Sequence, residues 1–376
     1  MRKLLLRLLR IELVLAYLVI VAGSVVRMSG SGMGCPDWPK CFGLLIPPTS
    51  DEQVQFYPDV DYQKGQMIIV NDTLWKAKSS FHSQQQWDKA DWEAYTKHDY
   101  TVFNATHTWI EYINRLLGAL AGLPMLLIFF VGLTYIRKFP LISLLGFASL
   151  FMIGFVAWLG KLVVDGNLIP GSITIHMLGA MIIIALLFTM MALLQNKVSS
   201  YVFDDKRLSG WLSLALILTI VQIIMGTQVR EEIDHLYKAY QGGMRELWID
   251  QLGITFYVHR SFSILLLLVN AYLWNKNRQL EQPVRLYNFI MSLLMLELIS
   301  GIVLAYLDVP AAAQPIHLVL AILIFGFQYF LWIHNQILRV KDPESEKFLL
   351  RRFVTSQMPA LQSSMNQSES AQSQKN

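Results

Sequence analysis

His107, Glu111, Asn114 and Gly118 recur at intervals of four, three and four residues, which stacks them on one face of a helix. Arg115 lies one turn beyond Glu111, and the segment opens an apolar run that continues through Val131. This reads as the outer end of a membrane-crossing helix. Imidazole, carboxylate, amide and guanidinium groups inside a span are costly, and such groups usually face a bundle interior or a site. Taken alone, the segment has two readings: a site built around an ionisable Glu111, or an interfacial ion pair at a helix end.

The elements that must hold these residues are set by composition. Apolar residues make up 54% of the chain and charged residues 15%, the balance of an integral membrane protein. The fold class expected is all-α and polytopic. Eight apolar segments are long enough for a bilayer core of about 30 Å: Ile11–Met28, Thr108–Leu133, Pro140–Val163, Ser172–Leu194, Ser209–Gln228, Ile254–Trp274, Leu286–Leu307 and Pro315–Ile337. No cleavable leader is expected, because the first run is long and lacks a small-residue cleavage site. Basic residues mark alternate loops: Arg2, Lys3, Arg7 and Arg10, then Arg137 and Lys138, Lys197 with Lys206 and Arg207, Lys276, Arg278 and Arg285, and finally Arg339, Lys341, Lys347, Arg351 and Arg352. Those segments are expected in the cytoplasm, with both termini inside. The net charge of +4 therefore follows from topology and indicates no nucleic-acid partner.

Cys35 and Cys41, the only two cysteines, fall in a loop on the outer side. An oxidising compartment permits a structural or redox-active disulfide, with free thiols as the other reading; two cysteines alone cannot make a tetrahedral zinc site. From Leu44 to about Thr106 the chain turns polar yet keeps Trp75, Trp87 and Trp92. This is too rich in aromatics for disorder and is expected to form a small outer cap, with a hairpin around Asn71-Asp72. Its His82 and His98 are read as solvated surface residues.

Landmarks then repeat in order. Gly23-Ser-Val-Val-Arg27 matches Gly226-Thr-Gln-Val-Arg230, Ile113-Asn-Arg115 matches Val258-His-Arg260, and Ile175-His-Met177 matches Ile316-His-Leu318; Gly160 and Gly301 each stand sixteen residues before the last histidines. The spacing predicts two four-helix bundles from a duplicated unit. His107, His176, His259 and His317 all fall near outer helix ends. His259 and His317, on helices the duplication pairs, suit two axial ligands of a haem iron. Arg27, Arg115, Arg230 and Arg260 recur at the same level, where they can meet haem propionates or lipid headgroups. Where the second bundle has His259, the first has Asn114. One bundle thus reads as an electron carrier, the other as a place with an open coordination position beside Glu111.

With these residues in view, Gly23-x-x-Val-Arg, Gly30-Ser-Gly, Cys35-Pro-Asp-Trp-Pro-x-Cys41, Glu111-Tyr-x-x-Arg115-Leu and the histidines at 176, 259 and 317 resemble the heme A synthase family. The resemblance covers about residues 8–337. It implies oxidation of the C8 methyl group of haem O to a formyl group, giving haem A for cytochrome oxidase. It implies a haem b whose iron is held by His259 and His317, a substrate haem in the first bundle beside His176, an essential Glu111, and outer cysteines Cys35 and Cys41 acting in redox chemistry or haem handover. The family pattern Glu-x-x-His-Arg departs here, because Asn114 stands in the histidine's place. Either His107 substitutes as ligand or His176 binds the iron alone; the second is preferred, since His107 lies two turns, about 10 Å, away. Glu297 is a further departure. It sits mid-span where the fifth span has Gln222, and pairing within the bundle and proton relay both stand as its role.

The domains expected are therefore 1–43 (first helix and cysteine loop), 44–106 (outer insertion), 107–200 (rest of the substrate bundle), 201–340 (haem b bundle) and 341–376 (disordered cytoplasmic tail). The location implied is the bacterial plasma membrane. Expected partners are membrane lipid, haem O, the farnesyltransferase that makes haem O and a second copy of the chain. A rival function from another class is a diheme cytochrome b-like electron carrier, which calls for two bis-histidine haems; a third is a haem transporter or chaperone, for which Glu111 has no evident use.

Overall fold

The computed structural model describes residues 1–96, 103–165, 171–195 and 206–339. His98, Lys197 and the tail from residue 341 lie outside the described residues.

Eight long helices make up most of what is described: α1 (Arg2–Met28), α2 (Ala105–Leu133), α3 (Pro140–Asp165), α4 (Ser172–Leu194), α5 (Lys206–Ala239), α6 (Ile254–Arg278), α7 (Leu286–Tyr306) and α8 (Ala313–Arg339). Seven of them, α2 to α8, are long and apolar enough to cross a membrane. The protein is a polytopic helical membrane protein. Local sequence sets the ends. The Asn104 side chain caps α2 by accepting the His107 N–H at 3.0 Å, which satisfies one of the helix's orphan donors. Pro140 opens α3, where its missing N–H costs nothing.

Two boundaries differ from the hydropathy reading. The first helix starts at Arg2 rather than near Ile11. Its basic start is held there because Arg2 Nε donates to the Leu194 carbonyl at 2.6 Å, a cation at a helix C-terminus. The fifth helix runs to Ala239 instead of ending at Gln228. Charge ended the apolar signal, but the helix continues because its charged residues have partners outside the span: Glu231 accepts the Gly171 N–H and Glu232 the Gly253 N–H.

Helices neighbouring in sequence pack together, and the chain closes on itself twice: α4 returns to α1, and α8 returns to α5. The central pair, α4 and α8, pack on each other, and α8 also reaches α1. The apolar core there includes Leu5, Leu9, Met125, Ile184, Leu187, Phe188, Ile322 and Phe325. A second core joins α5 to α8 through Leu212, Leu273, Tyr287, Ile290 and Leu331.

The insertion between α1 and α2 folds into two small antiparallel sheets, one of β1 (Asp61–Tyr62) with β4 (Phe81–His82), the other in the order β2 (Met67–Val70), β3 (Thr73–Ala77), β5 (Trp92–Ala94). The hairpin between β2 and β3 turns at Asn71 and Asp72, both with positive φ (50° and 54°), the backbone that a two-residue turn between right-twisted strands demands. Tyr62, Ile68, Ala77 and Trp92 form one core of the cap. Its other face, Val54, Met67 and Leu74, shares a core with Cys35, Cys41 and Phe42. The cap is thus docked on the cysteine loop, and the Met67 N–H donates to the Phe42 carbonyl at 3.0 Å.

Candidate functional site

Cys35 and Cys41 are joined by a disulfide, and the loop it closes lies on the N-terminal end of α2. Glu111 anchors it. One carboxylate oxygen accepts the Cys35 N–H at 2.8 Å, and the other accepts from Arg115 at 2.5 Å. Arg115 in turn donates to the carbonyls of Asp37 at 2.6 Å, Lys40 at 3.2 Å and Cys35 at 3.5 Å. Thr108, which the sequence reading passed over, donates to the Gly34 carbonyl at 2.8 Å. With 3% exposure, Glu111 is a buried carboxyl group held by the Arg115 guanidinium and by backbone N–H groups of the cysteine loop. Asp37 accepts the Gly43 N–H at 3.0 Å. Burial raises its carboxyl above the ordinary carboxylate range, against the pull of that N–H and of Arg115.

The approach of loop and helix depends on Gly34, where a Cβ would come within 2.5 Å of the His107 carbonyl oxygen. Gly34→Ala is therefore expected to destabilise the loop by about 1–3 kcal/mol. Thermal unfolding in detergent should show its midpoint several degrees lower, whereas Gly118→Ala, whose Cβ meets open space inside α2, should not lower it.

The histidines share one local arrangement. A Cβ added to Gly160 of α3 would lie 3.6 Å from His176 Cε1 of α4; at Gly226 of α5 it would lie 3.1 Å from His259 Cε1 of α6; at Gly301 of α7, 3.3 Å from His317 Cε1 of α8. The fourth case is Gly23 of α1, 3.7 Å from Asn114 Oδ1 of α2. Four odd-numbered helices each offer a glycine to a side chain on the next helix, three imidazoles and one amide. Asn114 occupies the fourth of these seats. His107, half-buried in the first turn of α2, does not.

The His259 and His317 rings have centroids 6.4 Å apart and nearly perpendicular planes, at 79°. That is about the separation of two imidazoles that each place a nitrogen ~2.0 Å from one metal ion between them. His259 Nδ1, His176 Nδ1 and Asn114 Oδ1 are buried with no hydrogen-bond partner among the described residues. Buried polar atoms of native proteins rarely stay unpaired without a reason such as an absent ligand. The residues present fit a haem iron between α6 and α8; the other two seats hold one imidazole, His176 of α4, and one amide, Asn114 of α2. Among the described residues no group of three or more His, Cys, Asp or Glu could hold a bare metal ion.

The four recurrent arginines are not equivalent. Arg115 is committed to the loop. Arg27 and Arg230 both pair with Asp234, Arg230 at 2.8 Å, and Arg230 also donates to Gln314 and to the Arg27 carbonyl. Arg260 is exposed and lies over the rings of Phe256 and Tyr257. The sequence reading missed Asp234, although its place four residues after Arg230 is the spacing of a helical ion pair.

The family model for COX15-CtaA, described as cytochrome oxidase assembly protein, matches residues 6–81 and 75–329. The chain belongs to this family. Among relatives, it is 23% identical over 344 residues to the heme A synthase of Wolbachia pipientis subsp. Culex pipiens, covering 84% of this chain and 93% of that protein. It is 24% identical over 352 residues to the heme A synthase of Bartonella henselae, covering 85% and 89%. A heme A synthase of Shewanella oneidensis is 29% identical over 225 residues, a match spanning 58% of this chain and about half, 54%, of that relative. As a member of the cytochrome oxidase assembly family, the protein has its matched region running from α1 through α8 and including every seat described above.

Proposed function

We propose that this protein is a haem A synthase, a membrane oxidoreductase that converts the C8 methyl of haem O to the formyl group of haem A for cytochrome c oxidase. The observation that carries the reading is the set of four glycine-backed seats. Three imidazoles and one amide make a saturated haem site in one half and an unsaturated one in the other. The names of the relatives agree with it.

In this reading α1 is an eighth span, and the eight helices form two four-helix bundles from a duplicated unit, divided at residue 200 or thereabouts. Both termini face the cytoplasm and the cap stands outside a bacterial plasma membrane. His259 and His317 hold the iron of haem b, which supplies one-electron transfer when bound. His176 binds the iron of substrate haem O, with the Asn114 amide across from it and His107 above. Arg27 and Arg230 are the arginines assigned to propionates, since the two share a single carboxylate, Asp234. Arg115 holds the loop, and Arg260 meets the headgroup region. Glu111 does the proton chemistry. Buried and held by Cys35 N–H and Arg115, it accepts or returns a proton next to the reacting methyl without displacement of the loop. Cys35, whose own N–H is held by that carboxylate, and its disulfide partner Cys41 couple the loop's redox state to the site. The haem O-producing farnesyltransferase, membrane lipid and a second copy of the chain are its proposed partners.

Co-expression with a source of haem O, followed by acid-acetone extraction and chromatography of the haems, tests this. Haem A is expected from the wild type and none from His176→Ala, with haem b present in both. Asn114→Ala should keep haem A if the amide is not a ligand. Untouched haem O in every sample would replace the synthase with a diheme electron carrier.

A further inference from the structure

Only one of the three seated histidines has Nδ1 partners among the described residues. His317 Nδ1 lies 2.8 Å from Ser300 Oγ and 3.3 Å from Glu297 Oε1; His176 and His259 have none at that atom. Ser300 decides the proton's place. Its own hydroxyl donates to the Glu297 carbonyl at 2.8 Å, so its oxygen is left to accept, and His317 must carry hydrogen on Nδ1. That tautomer presents Nε2 as the free lone pair.

The arrangement belongs to α7 alone. Ser300 immediately precedes the seat glycine Gly301, and Glu297 stands four residues before it. At the corresponding places α5 has Met225 and Gln222, α3 has Leu159 and Val156, and α1 has Ala22 and Val19. Gln222 turns its amide to the His259 carbonyl at 3.1 Å, away from the ring. The second oxygen of Glu297, Oε2, is buried without a partner among the described residues, so this carboxyl is retained within a membrane-crossing helix for the sake of one contact with His317. A polar group in that setting is costly unless it serves a site.

We propose that Ser300 and Glu297 are positioning residues for His317, fixing its tautomer and ring orientation and making it the more basic of the two axial imidazoles. The inference rests on His259 and His317 being the ligands of haem b. Hydrogen bonds to the distal nitrogen of a ligating imidazole raise its basicity and favour the oxidised iron, and losing them commonly changes metal affinity or activity 10–100-fold. The haem b of this protein is thereby held at a lower potential than two unassisted imidazoles would give, which orders electron flow between the two haem positions.

The test uses purified full-length protein carrying haem b: wild type, Ser300→Ala, Glu297→Gln and a double variant, Ser300→Ala with Glu297→Ala, that has neither acceptor. The readouts are haem content, reductive titration and the low-spin electron paramagnetic resonance spectrum. Loss of both acceptors should weaken the preference for ferric haem about tenfold, an upward shift of ~59 mV for a one-electron couple. The g-values should change with it. Glu297→Gln keeps an acceptor in place and should shift less than the double variant. A double variant with full haem content and unchanged potential and g-values overturns the inference. If the wild type holds no haem that His317→Ala removes, the haem b assignment itself fails, and the two failures are told apart by that control.

Discussion

Glu111→Gln is expected to leave haem b at its wild-type level while haem A falls at least about a hundredfold, the low end of what a positioned acid-base group contributes. Glutamine is the discriminating change. Its amide oxygen can still accept the Cys35 N–H that Glu111 accepts at 2.8 Å, and Arg115 keeps its bonds to the Asp37 and Lys40 carbonyls. What is lost is the charged partner of Arg115, worth about 1.5–3 kcal/mol for a hydrogen bond involving an ion, and the ability to take up and release a proton. The cysteine loop should therefore stay docked. Alanine would remove both contacts and leave Arg115 uncompensated at a cost of about 3–5 kcal/mol, confusing chemistry with folding. Extraction and chromatography of haems from matched membranes reads the result. Haem A at wild-type levels in the glutamine variant would sink the catalytic role and leave Glu111 as a structural anchor.

The second large effect is expected at Asp234. Arg27 ends α1, Arg230 lies on α5, and the Asp234 carboxylate sits between them. All three side chains are at most 23% exposed, and Arg230 also reaches the Arg27 carbonyl. Asp234→Ala leaves two like charges facing each other where α1 meets α5. Breaking a fully buried pair costs about 3–5 kcal/mol and this half-buried one somewhat less, so the variant should accumulate poorly and unfold at lower temperature in detergent. Arg27→Ala in the same chain should restore part of the loss, because one of the stranded charges is then gone. The double-mutant cycle measures that coupling. Additive losses, with no recovery in the double variant, would show that Asp234 does not bridge α1 and α5.

How much of this was legible beforehand differs from residue to residue. The apolar runs of α2 to α8 could be read directly, because a helix crossing a bilayer must be about twenty apolar residues long whatever its neighbours. The Asn71-Asp72 turn was legible for an equally local reason, since few residues tolerate positive φ in succession. The landmark order of Gly23, Gly160, Gly226 and Gly301 could also be read, and it drew attention to Asn114 as the odd member. The extension of α5 to Ala239 could not, because its outer turns are charged and only partners from Gly171 and Gly253, far along the chain, justify them.

Sequence alone determined that this chain is a membrane protein built of long apolar helices, and that a short two-cysteine loop separates the first helix from the polar insertion. These follow from period, length and composition. Tertiary structure alone decided the partnerships. It gave Glu111 to Cys35 and Arg115, gave Arg27 and Arg230 to a single aspartate, joined the cap's core to the disulfide, and set each imidazole's glycine on the preceding helix. The reason is physical. A helix's own sequence fixes which side chains share a face, but which of several equally spaced arginines meets a carboxylate depends on the packing and rotation of its neighbours.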